Sequence, residues 1–275
     1  MVRDTIVRRG LLPPEAVEEP DRASTAVIGL VHSAGYLHSI LDGSLDPAAA
    51  RRLGFPWSAE LPERSLRTVQ GTIEAARDAL DVGAGINLAG GTHHAFAERG
   101  EGFCVFNDVA VAIRALQREG RLTRAAVVDL DVHQGNGTAR IFAGDPTVFT
   151  FSMHGEKNYP FHKESSSLDV GLPDGCDDGA YLAALDRHLG PALDQADAEL
   201  VFYLAGADPF AQDRFGRLGL SIDGLRERDH MVFSACRVRG LPVVMTLSGG
   251  YARDLADVAA IHANTVAELL ACCGH

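Results

Sequence analysis

The 275-residue sequence has too few cysteines, in the wrong arrangement, for a disulfide-rich or thiolate-metal protein. Its five cysteines are an odd number and include no Cys-x-x-Cys pair, so they predict neither a disulfide framework nor a thiolate zinc site. Cys272 and Cys273 stand side by side near the C-terminus and are interpreted as packing or incidental residues. A reducing compartment, the cytoplasm, fits this cysteine usage best.

Long apolar runs and an excess of basic residues are also missing. No stretch approaches roughly 18 consecutive apolar residues, so no membrane span is predicted. The segment from Arg3 to Arg9 is charged and lacks the apolar core of a signal peptide, so no signal peptide is predicted. The formal net charge of −12 disfavours nucleic acid and anionic membranes as partners and mildly favours cationic ligands. Gly83 and Gly85 have no third glycine at dinucleotide spacing and no P-loop is present, so a nucleotide-binding fold is not favoured.

Apolar strand-like runs alternate with helical patterns along the chain. The strand-like runs are 26–33, 83–91, 125–132, 147–154, 200–208 and 241–251. The helical patterns lie around 62–81, 107–119, 178–195, 223–239 and 252–272. This alternation predicts an α/β fold with a mainly parallel sheet between layers of helices, and the absence of repeats and long linkers predicts one domain over 1–275. The segment 155–177 has no clear periodicity and is interpreted as a functional loop.

The segment 125–138 carries the strongest chemical signal. Its first residues are small or β-branched and apolar, which predicts a strand buried on both faces. Asp129, Asp131 and His133 follow at a spacing of two, so alternation along a strand would point all three to one side. Two carboxylates and an imidazole at the end of a buried strand favour a bound cation, because burying them without compensation is costly. A solvated, Asp-rich loop is the alternative.

Three other strand-like runs end in residues of similar chemistry. These are the pair His93 and His94 after two glycines, then Asp208, and then Tyr251. Because the carboxyl ends of parallel strands share one edge of a sheet, we expect these side chains to converge there. Taken singly, Asp208 is equally well a helix cap, and the histidine pair is equally well one core-packed and one exposed imidazole. An isolated Gly-Gly-Tyr is more often a simple turn.

Asp131, His133 and Asp208 are the candidate metal ligands. Three nitrogen or oxygen ligands with a coordination position left open are typical of catalytic zinc. Iron or manganese would accept the same ligand set, so the residue types alone do not choose the metal.

Taken together, the motifs resemble the histone deacetylase family. They are LAGGTHHA (88–95), GEGFCVFND (100–108), VVDLDVHQGNGT (127–138), AGAD (205–208) and SGGY (248–251), in that order. DRFGRLGLS (213–221) and the DVHQGNG variant resemble most the class IV branch and its bacterial relatives. The resemblance runs from about His32 to the C-terminal helix. It implies the three-layer α/β/α fold of arginases and deacetylases and the activity of a zinc-dependent deacylase.

The resemblance also implies roles for the motif residues. The three candidate ligands would hold Zn²⁺, with Fe²⁺ as an alternative ion. His94 resembles the general base, His93 its electrostatic or acid partner, and Tyr251 the phenol that polarises the substrate carbonyl. The same likeness pairs His93 with Asp129 and His94 with Asn136.

A structural K⁺ site is implied as well. Its ligands would be side-chain oxygens of Asp129 and Ser152 together with backbone carbonyls of Asp131, His133 and Met153. The site would therefore lie directly beside the zinc ligands and share residues with them.

Aromatic residues are expected to form the walls of the substrate tunnel. Phe103 and Tyr159 resemble the family's tunnel walls, Phe215 is assigned beside them, and the Gly102 carbonyl resembles the acceptor of the substrate N–H. Plain core packing is the alternative interpretation for the three aromatic rings.

Two features depart from the family's pattern. Asn136 stands where some branches have an aspartate, so His94 has a neutral partner and is expected to be less basic. The sequence begins, at Met1-Val2-Arg3-Asp4, within what would be the family's first helix, so the first strand and its loop are missing or very short. The shorter rim predicts that the pocket accepts acyl groups longer than acetyl.

The leading hypothesis is an amidohydrolase that removes acyl groups from the lysine side chains of proteins or peptides. Its nearest rival removes acetyl groups from small polyamines on the same scaffold. A dinuclear manganese ureohydrolase would need more carboxylates than these motifs contain. A non-catalytic binding module would have no need to keep His93, His94 and Tyr251 together.

Overall fold

The structure, a computed structural model, describes residues 1–273. The helices within that range are α1 (Val2–Arg8), α2 (Thr25–Ile28), α3 (Ala34–Asp42), α4 (Pro47–Leu53), α5 (Glu60–Val82), α6 (Asp108–Arg118), α7 (Asn136–Ile141), α8 (Asp178–Ala196), α9 (Ile222–Val238) and α10 (Leu255–Cys273), with a 3₁₀ turn at Pro14–Ala16. The strands are β1 (Ala84–Asn87), β2 (Ala125–Asp129), β3 (Val148–Gly155), β4 (Leu168–Leu172), β5 (Leu200–Leu204) and β6 (Val243–Thr246).

One sheet carries all six strands, in the order β1-β6-β5-β2-β3-β4. Every neighbouring pair is parallel. Since parallel neighbours require a crossover connection, helices cover both faces of the sheet. The predicted three-layer α/β/α architecture is confirmed.

Alternate residues of the central strands enter the cores on opposite faces of the sheet. On β2, Val128 packs in the core that contains Leu185 of α8 and Phe233 of α9. Its neighbour Val127 packs in the second core, with Ile73 of α5. Each fully buried side chain of this size contributes about 1.5–3 kcal/mol relative to an exposed one. Continuous apolar runs are therefore what strands buried on both faces need, which is why the sequence predicted them.

The prediction of a strand over 26–33 is wrong. Thr25–Ile28 form helix α2, whose N-terminus is capped by the Ser24 Oγ, an acceptor for the Val27 N–H at 3.3 Å. The sheet ends at β1, so no strand is available to pair with this segment. The apolar side chain of Ile28 is instead buried in the core that α5 and α6 share with the sheet.

The segment 155–177, interpreted as a loop, contains a strand. Leu168–Leu172 form β4 at the opposite edge of the sheet and pair with β3 from Phe151 to Gly155. Leu168, Val170 and Leu172 alternate with more polar positions, the pattern of an edge strand with one wet face. That short alternation is the signal that the sequence interpretation overlooked.

Strand β2 ends earlier than the predicted 125–132. The last strand residue is Asp129, so Asp131 and His133 lie in the loop that follows rather than on the strand itself. Strand alternation therefore explains the direction of Asp129 alone, and the loop places the other two.

Among the described residues, α10 is the one helix long and apolar enough to cross a membrane by length and composition. Half of the segment Leu255–Cys272 is buried inside the fold, where α10 packs on α9, α1 and β1. Ile261, Val266 and Leu269 of this segment thus lie in the protein core, whereas Leu255 at its start is exposed. Cys272 is among them, at 7% exposure, whereas the Cys273 side chain lies outside the described part of the chain.

Candidate active site

The carboxyl ends of four neighbouring strands bring the predicted catalytic and metal-binding side chains together. Strands β1, β6, β5 and β2 are adjacent in the sheet. The loops that follow them carry His93, His94, Asp131, His133, Asp208 and Tyr251, all of which line one cavity of about 650 Å³. This is the edge at which open α/β sheets bind ligands.

Asp131, His133 and Asp208 form a group with the spacing of metal ligands. One ligand atom from each lies within 4.8 Å of the others. His133 Nδ1 lies 3.0 Å from Asp131 Oδ1 and 3.2 Å from Asp208 Oδ2. Two ligands that are each about 2.0–2.1 Å from a tetrahedral zinc lie about 3.3–3.4 Å apart. The residues present therefore fit a zinc ion with little adjustment.

Each carboxylate of this group keeps one oxygen for the protein and turns the other toward its partners. Asp131 Oδ2 accepts hydrogen bonds from the Ser248 hydroxyl at 2.8 Å and the Gly249 N–H at 2.9 Å. Asp208 Oδ1 accepts from the Val132 N–H at 2.8 Å, while its Oδ2 is buried without a well-aligned donor. A buried carboxylate oxygen in that state is a position that a cation would satisfy.

Mutual contacts shift the titration of these three groups. Burial and the neighbouring Asp131 carboxylate raise the pKa of Asp208 to about 7. Burial acts to lower the pKa of His133, but the adjacent Asp131 and Asp208 carboxylates raise it to about 10. A divalent cation would displace the His133 proton and leave both carboxylates ionised, so its binding would release protons.

His93 is paired with the carboxylate that precedes the ligand loop. Its Nδ1 donates to Asp129 Oδ2 at 2.6 Å, and its Nε2 lies 3.8 Å from Asp131 Oδ1. Gly135 makes this pairing sterically possible, because a Cβ there would lie 2.3 Å from Asp129 Oδ2. The structure thus brings together the pair that the resemblance implies.

His94 is held by an amide that also contacts a buried glutamate. His94 Nδ1 and Asn136 Oδ1 are 2.7 Å apart, and Asn136 Nδ2 donates to Glu101 Oε1 at 2.8 Å. The Tyr159 hydroxyl donates to the same Glu101 oxygen at 2.9 Å. Glu101 therefore orients both the partner of His94 and one wall of the cavity. The sequence analysis did not select it, although its place in the GEGF motif is a usable signal.

The two adjacent imidazoles are driven toward opposite protonation states. Burial acts to lower the pKa of His93, but Asp129 and Asp131 raise it to about 9. Burial, together with His93 and His133, holds the pKa of His94 well below 6.5. At neutral pH His94 is the free base and His93 the imidazolium, which is the division of roles that acid–base catalysis uses.

Tyr251 stands at the side of the cavity with its ring against two aromatic neighbours. Its ring centroid lies 5.8 Å from that of Phe103 and 5.2 Å from that of Phe215. Burial, followed by nearby acidic groups, raises the pKa of Tyr251 to about 12, so at neutral pH the phenol is a hydrogen-bond donor. The Tyr251 N–H donates to Asp213 Oδ2 at 2.6 Å, which fixes the backbone below the ring.

Two adjacent residues of the cavity wall, Gly102 and Phe103, have unusual backbone conformations. Gly102 has φ +56°, and a Cβ there would lie 2.6 Å from His94 Cδ2, so the turn needs glycine. Phe103 has φ +66°, an unfavourable region for its side chain, and is held by a hydrogen bond from its N–H to the Leu53 carbonyl at 2.9 Å. Tyr159 packs edge-on against His94 at 4.9 Å. The cavity lining includes all four of His94, Gly102, Phe103 and Tyr159.

Phe103, Tyr159 and Phe215 line the cavity rather than fill the core. Phe103 is 40% exposed and Phe215 is 52% exposed. Phe161 stands beside Tyr159 at the mouth and is 85% exposed. Core packing, the alternative interpretation, is therefore not what places these rings.

The mouth of the cavity is basic although the protein as a whole is acidic. Five cationic side chains line it, namely Arg51, Arg52, Lys157, Arg214 and Arg217. The acidic residues in the same lining are Asp131 and Asp208, both at the base. Arg217 pairs with Asp174 at 3.1 Å, whereas the other four form no ion pair with a carboxylate within 4.0 Å in the described part of the chain.

Three of the residues assigned to a K⁺ site, Asp129, Ser152 and Met153, are buried neighbours on β2 and β3. Asp129 and Ser152 are register partners on β2 and β3, and both are buried. Met153 follows Ser152 in β3 with no exposed surface. The Ser152 hydroxyl lies 3.0 Å from His154 Nδ1, a second polar neighbour that the sequence analysis did not select.

A buried arginine that the sequence analysis did not select supports the ligand loops from behind. Arg228 of α9 has no exposed surface, and its Nη1 donates to the carbonyl oxygens of Gly206 at 2.7 Å and Leu130 at 3.3 Å. Its Nε donates to Asp229 Oδ1 at 2.9 Å. Leu130 directly precedes one predicted metal ligand and Gly206 lies two residues before another, so Arg228 links the two loops.

Comparison with known proteins identifies the relatives of this chain. A histone deacetylase domain model matches residues 1–269. Histone deacetylase 2 of Arabidopsis thaliana is 36% identical over 266 residues, 93% of this chain and 68% of that protein. An uncharacterized protein of Picosynechococcus sp. is 46% identical over 262 residues, 95% of this chain and 87% of that protein.

Solved structures agree on the fold. The crystal structure of an HDAC homologue from Aquifex aeolicus matches with a TM-score of 0.84 at 24% identity, covering 98% of this chain and 76% of that one. Identity at that level supports the architecture alone, whereas the domain match spans nearly the whole sequence. With the fold and the arrangement of the strand-end side chains described above, it follows that this chain belongs to the histone deacetylase family.

Proposed function

We propose that the protein is a zinc-dependent amidohydrolase that removes acyl groups from acylated lysine side chains. The observation that carries the proposal is the group of Asp131, His133 and Asp208 at the base of an open cavity, with a buried Asp208 oxygen turned toward the other two. A metal held by three protein ligands with an open position favours catalysis over a purely structural role. Zinc is preferred because the group fits tetrahedral distances, and Fe²⁺ is the alternative.

Zinc in this position supplies Lewis acidity, which polarises an amide carbonyl and makes water more acidic. His94, unprotonated at neutral pH, is placed to take a proton from the water as its oxygen bonds to the carbonyl carbon. Tyr251 donates a hydrogen bond to the oxyanion that develops on the carbonyl oxygen. His93, held as an imidazolium by Asp129, makes the neighbouring His94 more acidic once His94 has taken the proton. When the carbon–nitrogen bond breaks, an imidazolium of this pair returns a proton to the departing lysine amine.

The basic mouth supports acylated lysine in a protein or peptide over an acylated polyamine. A polyamine keeps cationic amines next to the amide, and these would meet Arg51, Arg52, Lys157 and Arg214. A lysine flanked by acidic residues would be attracted to the same side chains. The overall charge of −12 is thus a poor guide to the substrate, because the cavity mouth has the opposite sign.

Two further assignments belong to this proposal. K⁺ bound by Asp129, Ser152 and neighbouring carbonyls would stabilise the ligand loop from below. A cavity of about 650 Å³ leaves room for acyl groups longer than acetyl beside the aromatic walls. Membership of the class IV branch and a cytoplasmic location are proposed on the sequence features alone.

The test is steady-state hydrolysis of a matched panel by the zinc-loaded protein. The panel contains acetyl-lysine peptides with acidic or basic flanks, the same peptides with longer acyl groups, and acetylated polyamines. We expect the highest kcat/KM on acid-flanked peptides and no turnover after the metal is removed with a chelator. Hydrolysis confined to acetylated polyamines would replace the proposal with its rival, and activity on none of the panel would overturn both.

A further inference from the structure

A second group of potential metal ligands lies between α9 and α10, outside the lining of the catalytic cavity. It consists of His230, Glu268 and Cys272, which share no residue with the active-site group. Glu268 and Cys272 are one turn apart on α10, so their side chains point the same way. His230 faces them from α9. We propose that these three side chains bind a divalent transition-metal ion, zinc foremost, that joins the two helices.

The distances within this group match those around one tetrahedral ion. His230 Nδ1 lies 3.1 Å from Glu268 Oε2 and 3.9 Å from Cys272 Sγ. With zinc–nitrogen and zinc–oxygen distances of about 2.0–2.1 Å and a zinc–sulfur distance of about 2.3 Å, the expected separations are about 3.3 Å and 3.6 Å. Shifts of a few tenths of an ångström would suffice to bind the ion.

Two of the three proposed ligands, Glu268 and His230, are each contacted by a further residue that orients them, as metal ligands in proteins usually are. Arg226 Nε donates to Glu268 Oε1 at 2.6 Å, which leaves Oε2 facing the group. The Ser234 hydroxyl lies 3.3 Å from His230 Nε2. When Nε2 carries the proton that this contact needs, the Nδ1 lone pair is free for a metal.

Burial and charge favour occupancy by a cation. Glu268 is 6% exposed and Cys272 is 7% exposed, while the His230 side chain is 50% exposed. An ion can therefore enter from the His230 side and reach two ligands that are shielded from water. A glutamate and a thiolate supply two negative charges to a divalent ion, with Arg226 sharing the glutamate charge through Oε1, and an imidazole adds none.

The consequence of binding is mechanical. An ion here would fix α9 against α10, and α9 carries Arg228, which links the two loops of the active-site ligands. The site has one open coordination position but lies away from the catalytic cavity, so we expect it to stabilise the fold rather than to catalyse.

Cobalt titration of the metal-free, full-length protein tests the proposal. Two equivalents of Co²⁺ should bind. One should show sulfur-to-cobalt charge-transfer absorption in the near ultraviolet, because the Asp131, His133 and Asp208 group contains no sulfur. In Cys272→Ser this absorption and one equivalent should disappear while deacylase activity stays. In Asp208→Ala the absorption should remain. The equivalent bound at the α9–α10 group should raise the melting temperature of the wild type, and Cys272→Ser should show no such increase.

Matched controls make each outcome decisive. Cys176→Ser removes another buried thiol and should leave the absorption intact. Cys273→Ser with His275→Gln removes the neighbouring thiol and imidazole of the chain terminus and should also leave it intact. Binding of a single equivalent without sulfur absorption, absorption that persists in Cys272→Ser, or absorption lost in the Cys273→Ser, His275→Gln double variant would each overturn the site.

Discussion

The base and the mouth of the cavity are built from different parts of the fold and carry opposite charge. The base follows the ends of parallel strands and holds buried carboxylates and imidazoles, each fixed by a hydrogen-bonded partner. The mouth is made by the end of α4 and by loops, and it presents exposed arginines, a lysine and aromatic rings. Four of its five cations form no ion pair with a carboxylate within 4.0 Å among the described residues. Rigid, desolvated groups suit chemistry, whereas solvated charges suit attraction of a substrate. Variants at the base should therefore change kcat, and variants at the mouth should change KM.

The largest effect is expected from Asp208→Ala at the base. Loss of a ligand leaves Asp131 and His133 to hold the ion alone, so activity should be abolished and the bound active-site metal lost. The decrease should exceed the ~10–100-fold that loss of an outer-shell partner costs. Activity and metal content measured by elemental analysis check this. Asp194→Asn, at an exposed carboxylate, is the control, and full activity with unchanged metal content would rule out the ligand assignment.

A smaller loss is expected from Tyr251→Phe, which removes one donor and almost no volume. Loss of one oxyanion donor typically costs about 10²–10³-fold in kcat. Metal content, KM and the melting temperature should change little. Tyr36→Phe changes a buried phenol on α3, which donates to the Val105 carbonyl at 2.7 Å outside the cavity lining, and should leave kcat unaltered. If kcat of Tyr251→Phe stays near the wild-type value, Tyr251 is only a wall of the cavity.

A shift of the pH profile is expected from Asn136→Asp, and a contact with Glu101 affects the size of that shift. A carboxylate beside His94 favours the imidazolium and raises its pKa, so the acidic limb of kcat/KM should move to higher pH. The sign follows because His94 acts in its unprotonated form. The introduced carboxylate would also meet Glu101, to which Asn136 now donates. Two buried carboxylates in contact would share a proton, which would reduce the shift.

The double variant Asn136→Asp with Glu101→Gln separates these effects. The amide introduced at position 101 can donate to the new carboxylate, so the acidic limb should move further upward than in Asn136→Asp alone. The pH dependence of kcat/KM with metal content as a control measures this. An acidic limb that stays in place in both variants would show that Asn136 has no influence on the catalytic base.

The smallest effect is expected at the mouth. Arg51→Glu with Arg214→Glu should raise KM for acid-flanked acyl-lysine peptides by about 2–30-fold, since exposed charge pairs contribute about 0.2–1 kcal/mol each. The kcat value should stay the same and the increase should fade at high salt. KM for acetylated polyamines should fall instead. A drop in kcat with constant KM would break the distinction between base and mouth.

Much of the base could be read from the sequence because strand ends in a parallel sheet share an edge. The apolar runs identified β1, β2, β3, β5 and β6, and the residues that follow them converge as expected. The two errors in predicted secondary structure occur where the local sequence pattern and the available strand pairing point to different structures. Helix α2 replaced a predicted strand because Ser24 caps it and no strand lies beside it, and β4 went unnoticed because its alternation is short.

Other features depend on contacts between residues far apart in the chain. Glu101 meets Asn136 and Tyr159 through a loop whose backbone has positive φ at Gly102 and Phe103. Ser248 reaches Asp131 from the loop after β6. Neither contact has a spacing that a sequence pattern could reveal.

By itself, the sequence determined the order of buried strands and the types of side chain that follow them. Those depend on local periodicity and on the geometry of any parallel sheet. Only the tertiary structure decided the opposite protonation of His93 and His94, the basic mouth on an acidic chain, and the group formed by His230, Glu268 and Cys272. The reason is physical: burial and charge at a site are sums over neighbours from distant segments, and packing chooses those neighbours.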